Sequence, residues 1–311
     1  MRVAVTGLGL IGGSVALALA EAGHDVLGHD PDPATRAAAA AHFTVTADPA
    51  ELLDADLAVV AAPYRHLDTV AATLRGYAGL VTDVASVKAA AARAFAAQPR
   101  FVGGHPMAGK ETAGFASAEP GLFRGRTWVL CLEADTDLAD WATLARLWTS
   151  IGAHIVPATA ADHDRAAARI SHLEHLVAAA LVRVADDPLS RALAAGSYRD
   201  GTRVAASPTG LFTGMVEGNR DELLAALADL GGELDLARAH MTASTDRAKP
   251  ISEWFDRARE RRADWPPEPG ETVEVQLERD ALLAFGRAGG RLEGVESEVA
   301  VGRLPRVKST P

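Results

Sequence analysis

The chain has 311 residues, of which 48% are hydrophobic and 23% are charged, and this composition is typical of a folded protein. The formal net charge is -10 and lysine and arginine form no block, which argues against nucleic acid or an anionic membrane as the main partner. The single cysteine, Cys131, excludes an intrachain disulfide and fits a reducing cytoplasm. No apolar run reaches the roughly 18 residues that a membrane span requires, and the N-terminus has no signal-peptide pattern. We therefore expect a soluble cytoplasmic protein with two domains.

Apolar runs that end in Gly, Pro, Asp or Ser alternate with alanine-rich helical runs over residues 1–157. The predicted strands are RVAVTG (2–7), DVLGHD (25–30), DLAVVAAP (56–63), GLVTDVAS (79–86), RFVGGHP (100–106), TWVLCLE (127–133) and AHIVPA (153–158). A helix is predicted from about Gly12 to Glu21. Strands separated by helices of this length indicate βαβ units and a mostly parallel sheet. We therefore predict a doubly wound α/β domain over residues 1–157.

The second part of the chain has a different character. Residues 159–187 keep a helical periodicity, Thr159 is a plausible N-cap, and acidic residues occupy the first turn. Further helical stretches follow without a βαβ unit, so residues 158–263 are predicted to form an all-α domain. A breaker cluster, WPPEPGE, then opens a C-terminal tail, residues 264–311, which contains one helix-like segment, LERDALLAFGRAGG.

The segment GLGLIG places Gly7, Gly9 and Gly12 in the G-x-G-x-x-G spacing, directly after a strand and at the start of a helix. Gly7 allows a tight turn, Gly9 allows close approach of a pyrophosphate, and Gly12 allows the helix to pack on the strand. The phosphates then lie at the helix N-terminus, beside Leu10 and Ile11. This pattern predicts a Rossmann-type dinucleotide site. A glycine-rich turn in an unrelated α/β protein is the alternative.

Asp30 closes the second predicted strand, 18 residues beyond Gly12. A carboxylate there can accept hydrogen bonds from both ribose hydroxyls of NAD and would repel the 2′-phosphate of NADP. Arg36 could favour NADP, but it lies a further turn along the chain, and a solvated turn acid is the other interpretation of Asp30. NAD is the predicted cofactor, with Ala62 and Pro63 at the end of the third predicted strand as further contacts.

Two segments would deliver side chains beside the nicotinamide, at the carboxyl ends of the strands. TDVASVK carries Ser86 and Lys88, and VGGHPMAG carries His105. A histidine that titrates near neutral pH can accept a proton from a substrate hydroxyl as hydride leaves the same carbon. Ser86 could orient that hydroxyl or the imidazole, or it could cap a helix, and Lys88 could instead be a solvated helix residue. The glycines before His105 are predicted to allow close approach of the backbone to a ligand.

The motif SHLEH, in the long helix of the second domain, places His172 and His175 on one helix face. No obvious third ligand accompanies them in the sequence, so binding of a polar substrate at the domain interface is a better prediction than binding of a metal. Packing between helices is the other interpretation. The motif YRDGTRVAASP contributes Thr202 and Arg203, and the guanidinium could pair with a substrate carboxylate or with Asp200 at the surface.

The motifs GLGLIGGS, DVASVK, GGHPMAGKETAGF, SHLEH and RDGTRVAASP occur in this order, and together they resemble the prephenate/arogenate dehydrogenases of tyrosine biosynthesis over residues 1 to about 260. The resemblance implies NAD(P)-dependent oxidative decarboxylation of a cyclohexadienol, in which hydride leaves the hydroxyl-bearing ring carbon and the ring carboxylate departs as CO2. It implies that His105 hydrogen-bonds the ring hydroxyl with support from Ser86. It also implies that His172 and His175 line the substrate pocket, that Arg203 binds a substrate carboxylate, and that the helical domain forms a homodimer.

Three features depart from the pattern of that family. Glu174 stands where proline is common, Phe212 replaces a frequent tryptophan, and the tail after about residue 265 is too short for the regulatory ACT domain that some members carry. An additional carboxylate at Glu174 could pair with the ammonium of arogenate, or it could face solvent. We predict prephenate as the substrate, with arogenate as the alternative.

Two other functional classes fit the sequence less well. A β-hydroxyacid dehydrogenase would be expected to use a lysine in the second domain, but residues 111–246 contain none. A non-catalytic NAD sensor would leave His105, Ser86 and Arg203 without an explanation. An NAD-dependent dehydrogenase is therefore the predicted class.

Overall fold

The structure is a computed structural model, and it describes residues 1–110, 112–207, 209–242 and 248–306. These residues form two six-stranded sheets and a group of helices. The predicted fold class, an α/β domain followed by a mostly helical region, is confirmed.

The first sheet is built by the N-terminal strands and is parallel throughout. Its strands are β1 (Arg2–Thr6), β2 (Asp25–His29), β3 (Thr44–Thr46), β4 (Leu57–Val60), β5 (Leu80–Asp83) and β6 (Phe101–Val102). The order β3-β2-β1-β4-β5-β6 is that of a Rossmann sheet, in which ligands bind at the carboxyl edge near the point where the order reverses. The short strand β3 has no counterpart in the sequence prediction.

Four helices connect these strands: α1 (Leu10–Glu21), α2 (Pro33–Ala39), α3 (Leu67–Thr73) and α4 (Lys88–Ala94). Alternate residues of a buried strand point to opposite faces of the sheet, where they meet different helices. Val59 of β4 belongs to the core that contains Val15 of α1, whereas Val60 belongs to the core that contains Leu67 of α3. The sheet is therefore covered on both faces, as a doubly wound fold requires.

The chain leaves the first sheet at Gly103 and enters a second one. The strands β7 (Gly104–Pro106), β8 (Thr127–Cys131) and β9 (His154–Ala158) lie side by side there, and α5 (Leu138–Ser150) connects β8 to β9. The prediction of one strand over 100–106 in a single sheet is wrong. A Cβ at Gly104 would lie 2.8 Å from the Asp83 carbonyl oxygen and 2.9 Å from Trp128 Nε1. The close approach that this glycine allows is thus to the protein itself, and not to a ligand as predicted.

The second part of the chain is helical, and the described residues between 159 and 263 contain no strand. Its helices are α6 (Ala160–Ala167), α7 (Leu173–Val184), α8 (Pro188–Leu193), α9 (Gly196–Thr202), α10 (Thr209–Gly218), α11 (Arg220–Thr242) and α12 (Ala248–Ala263). A π-helical turn, Ala168–His172, joins α6 to α7, so the predicted long helix is confirmed. Thr159 is its N-cap as predicted, because the hydroxyl accepts from the Asp162 N–H at 3.1 Å. Among the described helices, none combines the length and the apolar character needed to cross a membrane.

The tail folds back onto the second sheet. Its elements, β10 (Pro269–Gln276), α13 (Arg279–Arg287), β11 (Arg291–Val295) and β12 (Val299–Pro305), extend that sheet to the order β10-β12-β11-β9-β8-β7. The predicted tail helix is confirmed as α13, whereas the three strands are not in the sequence prediction. Leu282 and Leu292 are fully buried in the same apolar core as Trp148 of α5. The tail therefore completes the packing of the α/β part of the chain.

We predict that Leu282→Ala lowers the free energy of unfolding by about 2 to 5 kcal/mol, because the loss of a buried leucine side chain leaves a cavity. The matched control is Leu53→Ala, at a side chain that is 38% exposed. The control should stay within about 0.5 kcal/mol of the parent protein. Urea unfolding followed by circular dichroism gives both values. Equal stability of the two variants would show that the tail is not part of the cooperative core.

Candidate active site

The turn between β1 and α1 has the shape that a nucleotide diphosphate requires. Gly7 has a φ of +89°, a Cβ there would lie 2.6 Å from the Ala61 carbonyl oxygen, and a Cβ on Gly12 would overlap the Gly7 carbonyl oxygen. At Gly9, by contrast, no described heavy atom beyond the neighbouring residues of the chain lies within 4 Å of the Cβ position. The helix α1 begins at Leu10 with no capping side chain among the described residues, so its first N–H groups are available to an anion. These residues fit a diphosphate bound at the helix N-terminus.

Asp30 follows β2 and is held beside this glycine turn. Its carboxylate accepts hydrogen bonds from the backbone N–H groups of Leu8 at 2.8 Å and Asp32 at 2.9 Å. Arg36, expected to lie a turn further away, reaches back and donates to the Asp30 carbonyl oxygen at 2.6 Å. The segment Ala62–Pro63 follows β4, which pairs with β1. The predicted cofactor residues therefore lie together at the carboxyl edge of the first sheet.

A buried ion pair fixes the backbone immediately before His105. The Lys88 ammonium pairs with the Asp83 carboxylate and donates to the Gly104 carbonyl oxygen at 2.6 Å, and the Gly104 N–H donates to Asp83 at 3.1 Å. The side chains of Lys88 and Asp83 are 1% and 0% exposed. Lys88 is therefore not a solvated helix residue, and the predicted contact of its ammonium with substrate is also not what the structure shows. Its charge instead holds the strand that carries His105.

His105 is linked to two residues of α6 in the second domain. Its Nδ1 lies 2.8 Å from Nε2 of His163, and Nδ1 of His163 lies 2.7 Å from the Asp164 carboxylate. The two imidazole rings meet edge to face, with their centroids 5.0 Å apart. The same carboxylate accepts hydrogen bonds from the backbone N–H groups of Lys88 at 2.7 Å and Ala89 at 2.8 Å. Asp164 therefore both caps α4 and holds the histidine pair.

Burial and hydrogen bonds set the charges in this group. Burial by itself raises the pKa of Asp164, but hydrogen bonds from His163 and from two backbone N–H groups outweigh it and hold the pKa below its ordinary value. The pKa of His105 lies well below its ordinary value, first because of burial and then because of the neighbouring His163, Lys88 and His172. At neutral pH, Asp164 is thus a carboxylate and His105 an uncharged imidazole, which is the form that can accept a proton.

Asn219, between α10 and α11, connects Asp164 to His172. Its side-chain amide donates to the Asp164 carbonyl oxygen at 2.7 Å and lies 3.2 Å from Nδ1 of His172. Because a carbonyl oxygen can only accept, the amide nitrogen must face both groups, so Nδ1 of His172 accepts and its proton is on Nε2. Burial lowers the pKa of His172 to about 4, and this ring is therefore also uncharged at neutral pH.

Other predicted site residues take different positions around this network. His175 packs against Phe212 with ring centroids 5.0 Å apart, and its Nδ1 is buried without a hydrogen-bond partner among the described residues. Glu174 is exposed on α7. Ser86 is half-buried in the loop between β5 and α4. The alternative in which Ser86 caps α4 is wrong, because Asp164 occupies that place.

The predicted carboxylate-binding segment lies at the end of α9. Thr202 is the last residue of this helix, and its hydroxyl donates to the Tyr198 carbonyl oxygen at 2.6 Å. Arg203 follows directly and is exposed. Asp200, considered from the sequence as a surface partner for Arg203, forms an ion pair with Arg199 at 3.0 Å.

Sequence reasoning missed the residues that organise the site, which are His163, Asp164, Asn219 and Asp83. Asp83 lies within the predicted strand 79–86, five residues before Lys88, and a carboxylate inside a strand expected to be buried was a usable signal. His163 and Asp164 resemble ordinary polar residues of a first helical turn, where acids are common. Apart from each other, their partners lie 55 or more residues away in the chain, so no local pattern indicates these contacts.

A glycine turn with space for a diphosphate, and an uncharged histidine beside the same edge of the sheet, define this chain as a nucleotide-binding oxidoreductase. Two family models match it in succession. The model described as prephenate dehydrogenase, nucleotide-binding domain, matches residues 15–157, and the model described as prephenate dehydrogenase, dimerization domain, matches residues 159–255. The chain belongs to the prephenate dehydrogenase family.

Individual relatives agree with this assignment. The chain is 31% identical over 284 residues to a prephenate dehydrogenase of Bacillus subtilis, which covers 85% of this chain and 76% of that one. A Corynebacterium glutamicum structure, provisionally described as a prephenate dehydrogenase, aligns with a TM-score of 0.78 at 36% identity and covers 86% of this chain and 90% of its own. An arogenate dehydrogenase structure from Synechocystis aligns with a TM-score of 0.74 at 30% identity, over 85% of this chain and 100% of its own. Proteins named for both substrates are thus similar to this chain.

We predict that the free energy of unfolding falls as the pH is lowered from about 7 to about 5, the range in which histidine titrates in an unfolded chain. The pKa of His172 is about 4 in the folded protein against an ordinary value of 6.5. As the pH falls, this histidine is therefore protonated in the unfolded state before it is protonated in the folded state, and proton binding stabilises the unfolded state. The variant His172→Gln should show a weaker dependence on pH. Urea midpoints at both pH values measure this effect, with the exposed His42→Gln as control. The same pH dependence in parent and His172→Gln would contradict the prediction.

Proposed function

We propose that this chain catalyses the NAD-dependent oxidative decarboxylation of prephenate to 4-hydroxyphenylpyruvate, a step of tyrosine biosynthesis. Bound NAD supplies the acceptor for the hydride that leaves the hydroxyl-bearing ring carbon. The ring carboxylate departs as CO2, the electron pair of the broken carbon–carbon bond enters the ring, and the ring becomes aromatic. The protein then has two tasks, which are to hold the reactants in place and to manage one proton.

The position of His105 is the observation that carries this proposal. It is hydrogen-bonded through Nδ1 to His163, which leaves Nε2 for a substrate. As hydride departs, the ring carbon–oxygen bond gains carbonyl character, and Nε2 accepts the hydroxyl proton. Aromatisation restores a phenol, and the same nitrogen returns the proton. The reaction therefore needs a base that takes up the proton and later returns it. No net proton is released to solvent.

The cofactor is assigned to the carboxyl edge of the first sheet. We place the diphosphate against Gly9 and the first turn of α1, where there is room for it. The adenosine ribose is assigned to Asp30, and Ala62–Pro63 borders the same space. Arg36 is engaged with the Asp30 carbonyl oxygen, which supports the preference for NAD.

The substrate is assigned to the side chains between the two domains. His172 carries its proton on Nε2 and can donate it to a carboxylate or keto oxygen. We assign the ring environment to His175 and Thr202, and orientation of the ring hydroxyl to Ser86. The ring carboxylate must leave as neutral CO2, so a strong ion pair there would oppose the reaction. Arg203 is therefore assigned to the side-chain carboxylate of prephenate, which persists in the product.

Arogenate is the second candidate substrate. It carries an ammonium where prephenate carries a keto group, and Glu174 next to His175 could pair with that ammonium. The similarity to the Synechocystis arogenate dehydrogenase supports this alternative. The exposed position of Glu174 on α7 supports prephenate instead, because a solvated carboxylate gives little discrimination.

The experiment that tests the proposed function measures NADH formation by the purified protein with NAD and either prephenate or arogenate in parallel. We expect faster turnover of prephenate. Turnover of arogenate alone would replace the substrate and keep the reaction class. Turnover of neither, together with measurable NAD binding, would refute the proposal.

We predict that His105→Asn lowers kcat by about 10²- to 10⁴-fold, which is the range expected for loss of a general base. The affinity for NAD should not change, because His105 lies outside the glycine turn. Steady-state kinetics and a fluorescence titration with NAD measure the two quantities. His42→Asn, at an exposed histidine, is the control and should keep the parent kcat. An unchanged kcat in His105→Asn would remove this residue from the mechanism.

The helical region, residues 158–263, is proposed to form a cytoplasmic homodimer. It exposes large apolar side chains in the single chain: Leu181 (45%), Val184 (84%), Leu189 (68%) and Leu193 (72%). Apolar surface of this kind is typical of a protein interface. The description of the matching family model as a dimerization domain supports the proposal. The buried free thiol of Cys131 is consistent with a reducing compartment.

Light scattering after size exclusion should give the mass of a dimer for the parent protein. The double variant Leu189→Glu, Leu193→Glu should shift the mass toward a monomer, because two charges would be buried without partners in the interface. Leu53→Glu, which is exposed in the first domain, serves as control. A monomeric parent protein would contradict the proposal.

A further inference from the structure

The ring of His105 is the last of three side chains that form one continuous hydrogen-bond chain. Asp164, His163 and His105 are joined by contacts of 2.7 Å and 2.8 Å. The first two members of this chain are almost completely buried, with exposures of 3% for Asp164 and 4% for His163. They come from the helical domain, whereas His105 comes from β7. This series of hydrogen bonds therefore crosses from the helical domain to the first domain, and it ends at His105.

The position of each proton in this chain follows from the chemistry of its members. A carboxylate can only accept, and Asp164 also accepts from the backbone N–H groups of Lys88 and Ala89. Nδ1 of His163 must therefore donate to it. With that single ring proton on Nδ1 of His163, Nε2 carries a lone pair and accepts from Nδ1 of His105. The only proton of an uncharged His105 is consequently on Nδ1, and Nε2 is left as an acceptor.

This arrangement opposes the ordinary preference of the side chain. A histidine in water carries its proton mainly on Nε2, and in that tautomer Nε2 cannot accept a proton from a substrate hydroxyl. We propose that His163 and Asp164 are positioning residues that keep the proton of His105 on Nδ1 and share the positive charge that appears when Nε2 takes the substrate proton. The inference rests on the proposed function, because it assigns these two residues to the same proton transfer.

The proton movements balance within the chain. When Nε2 of His105 accepts the hydroxyl proton, Nδ1 can pass its own proton to Nε2 of His163. The positive charge then lies on His163 in direct contact with the Asp164 carboxylate, where an ion pair replaces an isolated buried cation. As the substrate ring becomes aromatic, both protons return along the same path and the resting state is restored. No additional oxidant, reductant or proton donor is needed.

The first test does not depend on an activity measurement. Nitrogen NMR of the protein with isotope-labelled histidine reports which ring nitrogen carries the proton, and the signal that disappears in His105→Asn identifies His105. We expect the Nδ1-protonated tautomer of His105 in the parent protein at neutral pH. Protonation on Nε2 would overturn the proposal, while leaving the proposed function to stand or fall on the NADH assay.

The second test uses two variants and a matched control. Asp164→Asn removes the negative charge and leaves one acceptor oxygen, for which His163 would compete with the backbone N–H groups of Lys88 and Ala89. His163→Phe keeps a ring against His105 but removes both nitrogens. In each case we expect the proton of His105 to move to Nε2 and kcat to fall by about 10²- to 10⁴-fold, the scale seen when an orienting carboxylate is lost. The KM for NAD should not change, and the double variant should lose little beyond either single variant.

The control is Asp162→Asn, which makes the same chemical change two residues earlier on α6. Asp162 pairs with Arg287 at 2.9 Å and not with the histidine chain. It should keep both the parent kcat and the parent tautomer. Variants that bind NAD normally, show the Nε2 tautomer and yet keep the parent kcat would overturn the proposal. A fall in kcat with the tautomer of His105 unchanged would also overturn it, because the residues would then act through stability alone.

Discussion

One carboxylate, that of Asp164, joins the two parts of the active site. It accepts from two backbone N–H groups at the start of α4 in the first domain, and it holds His163 against His105 from its own place in the second. Both tasks require an anion, because a helix N-terminus and an orienting partner for imidazole each favour negative charge. A shift of α6 away from α4 would therefore uncap the helix and break the contact with His105 at the same time. The position of the His105 ring thus depends on how α6 packs against α4.

A second buried carboxylate supports the arrangement from the other side. Asp83 at the end of β5 pairs with Lys88 and receives the N–H of Gly104, while Lys88 also reaches the Gly104 carbonyl oxygen. A buried ion pair of this kind contributes little net stability, because desolvation offsets the attraction, although loss of one partner would be costly. The ion pair instead fixes the position of the backbone. It binds both the N–H and the carbonyl oxygen of Gly104, and this fixes the direction in which β7 presents His105.

The extent to which the site was predictable from the sequence differs between its two halves. The cofactor half depends on short-range features: Gly7, Gly9 and Gly12 fall within six residues, and Asp30 directly follows the next strand. Local backbone requirements of this kind leave a pattern in the sequence. The substrate half depends on contacts between distant segments. His163 and Asp164 lie in the helix that Thr159 caps, yet nothing near them in the sequence indicates that they face α4 and β7.

The tail was predicted in part for a similar reason. The helix α13 was visible from its periodicity, but the alternation of Val273 and Val275 in the ETVEVQ segment, which is a strand signal, was overlooked. That strand and its neighbours pair with the second sheet, which is formed by residues far away in the chain, so the sequence alone does not indicate their partners. The same holds for Gly103 and Gly104, which appeared from the sequence to serve a ligand and in fact let the chain change sheets. A glycine in the sequence indicates that another group approaches the backbone closely, but not whether that group belongs to a ligand or to the protein itself.

The sequence alone thus specified the class of fold, the nucleotide turn, His105 as the candidate base and the family to which its motifs belong, because each depends on the spacing of a few neighbouring residues. The tertiary structure alone decided the hydrogen-bond partner and the lowered pKa of His105, the burial of Lys88 and the place of the tail. These properties depend on desolvation and on hydrogen bonds between residues that are far apart in the chain. Only folding brings such groups within 3 Å of one another, and only then do their pKa values and proton positions become defined.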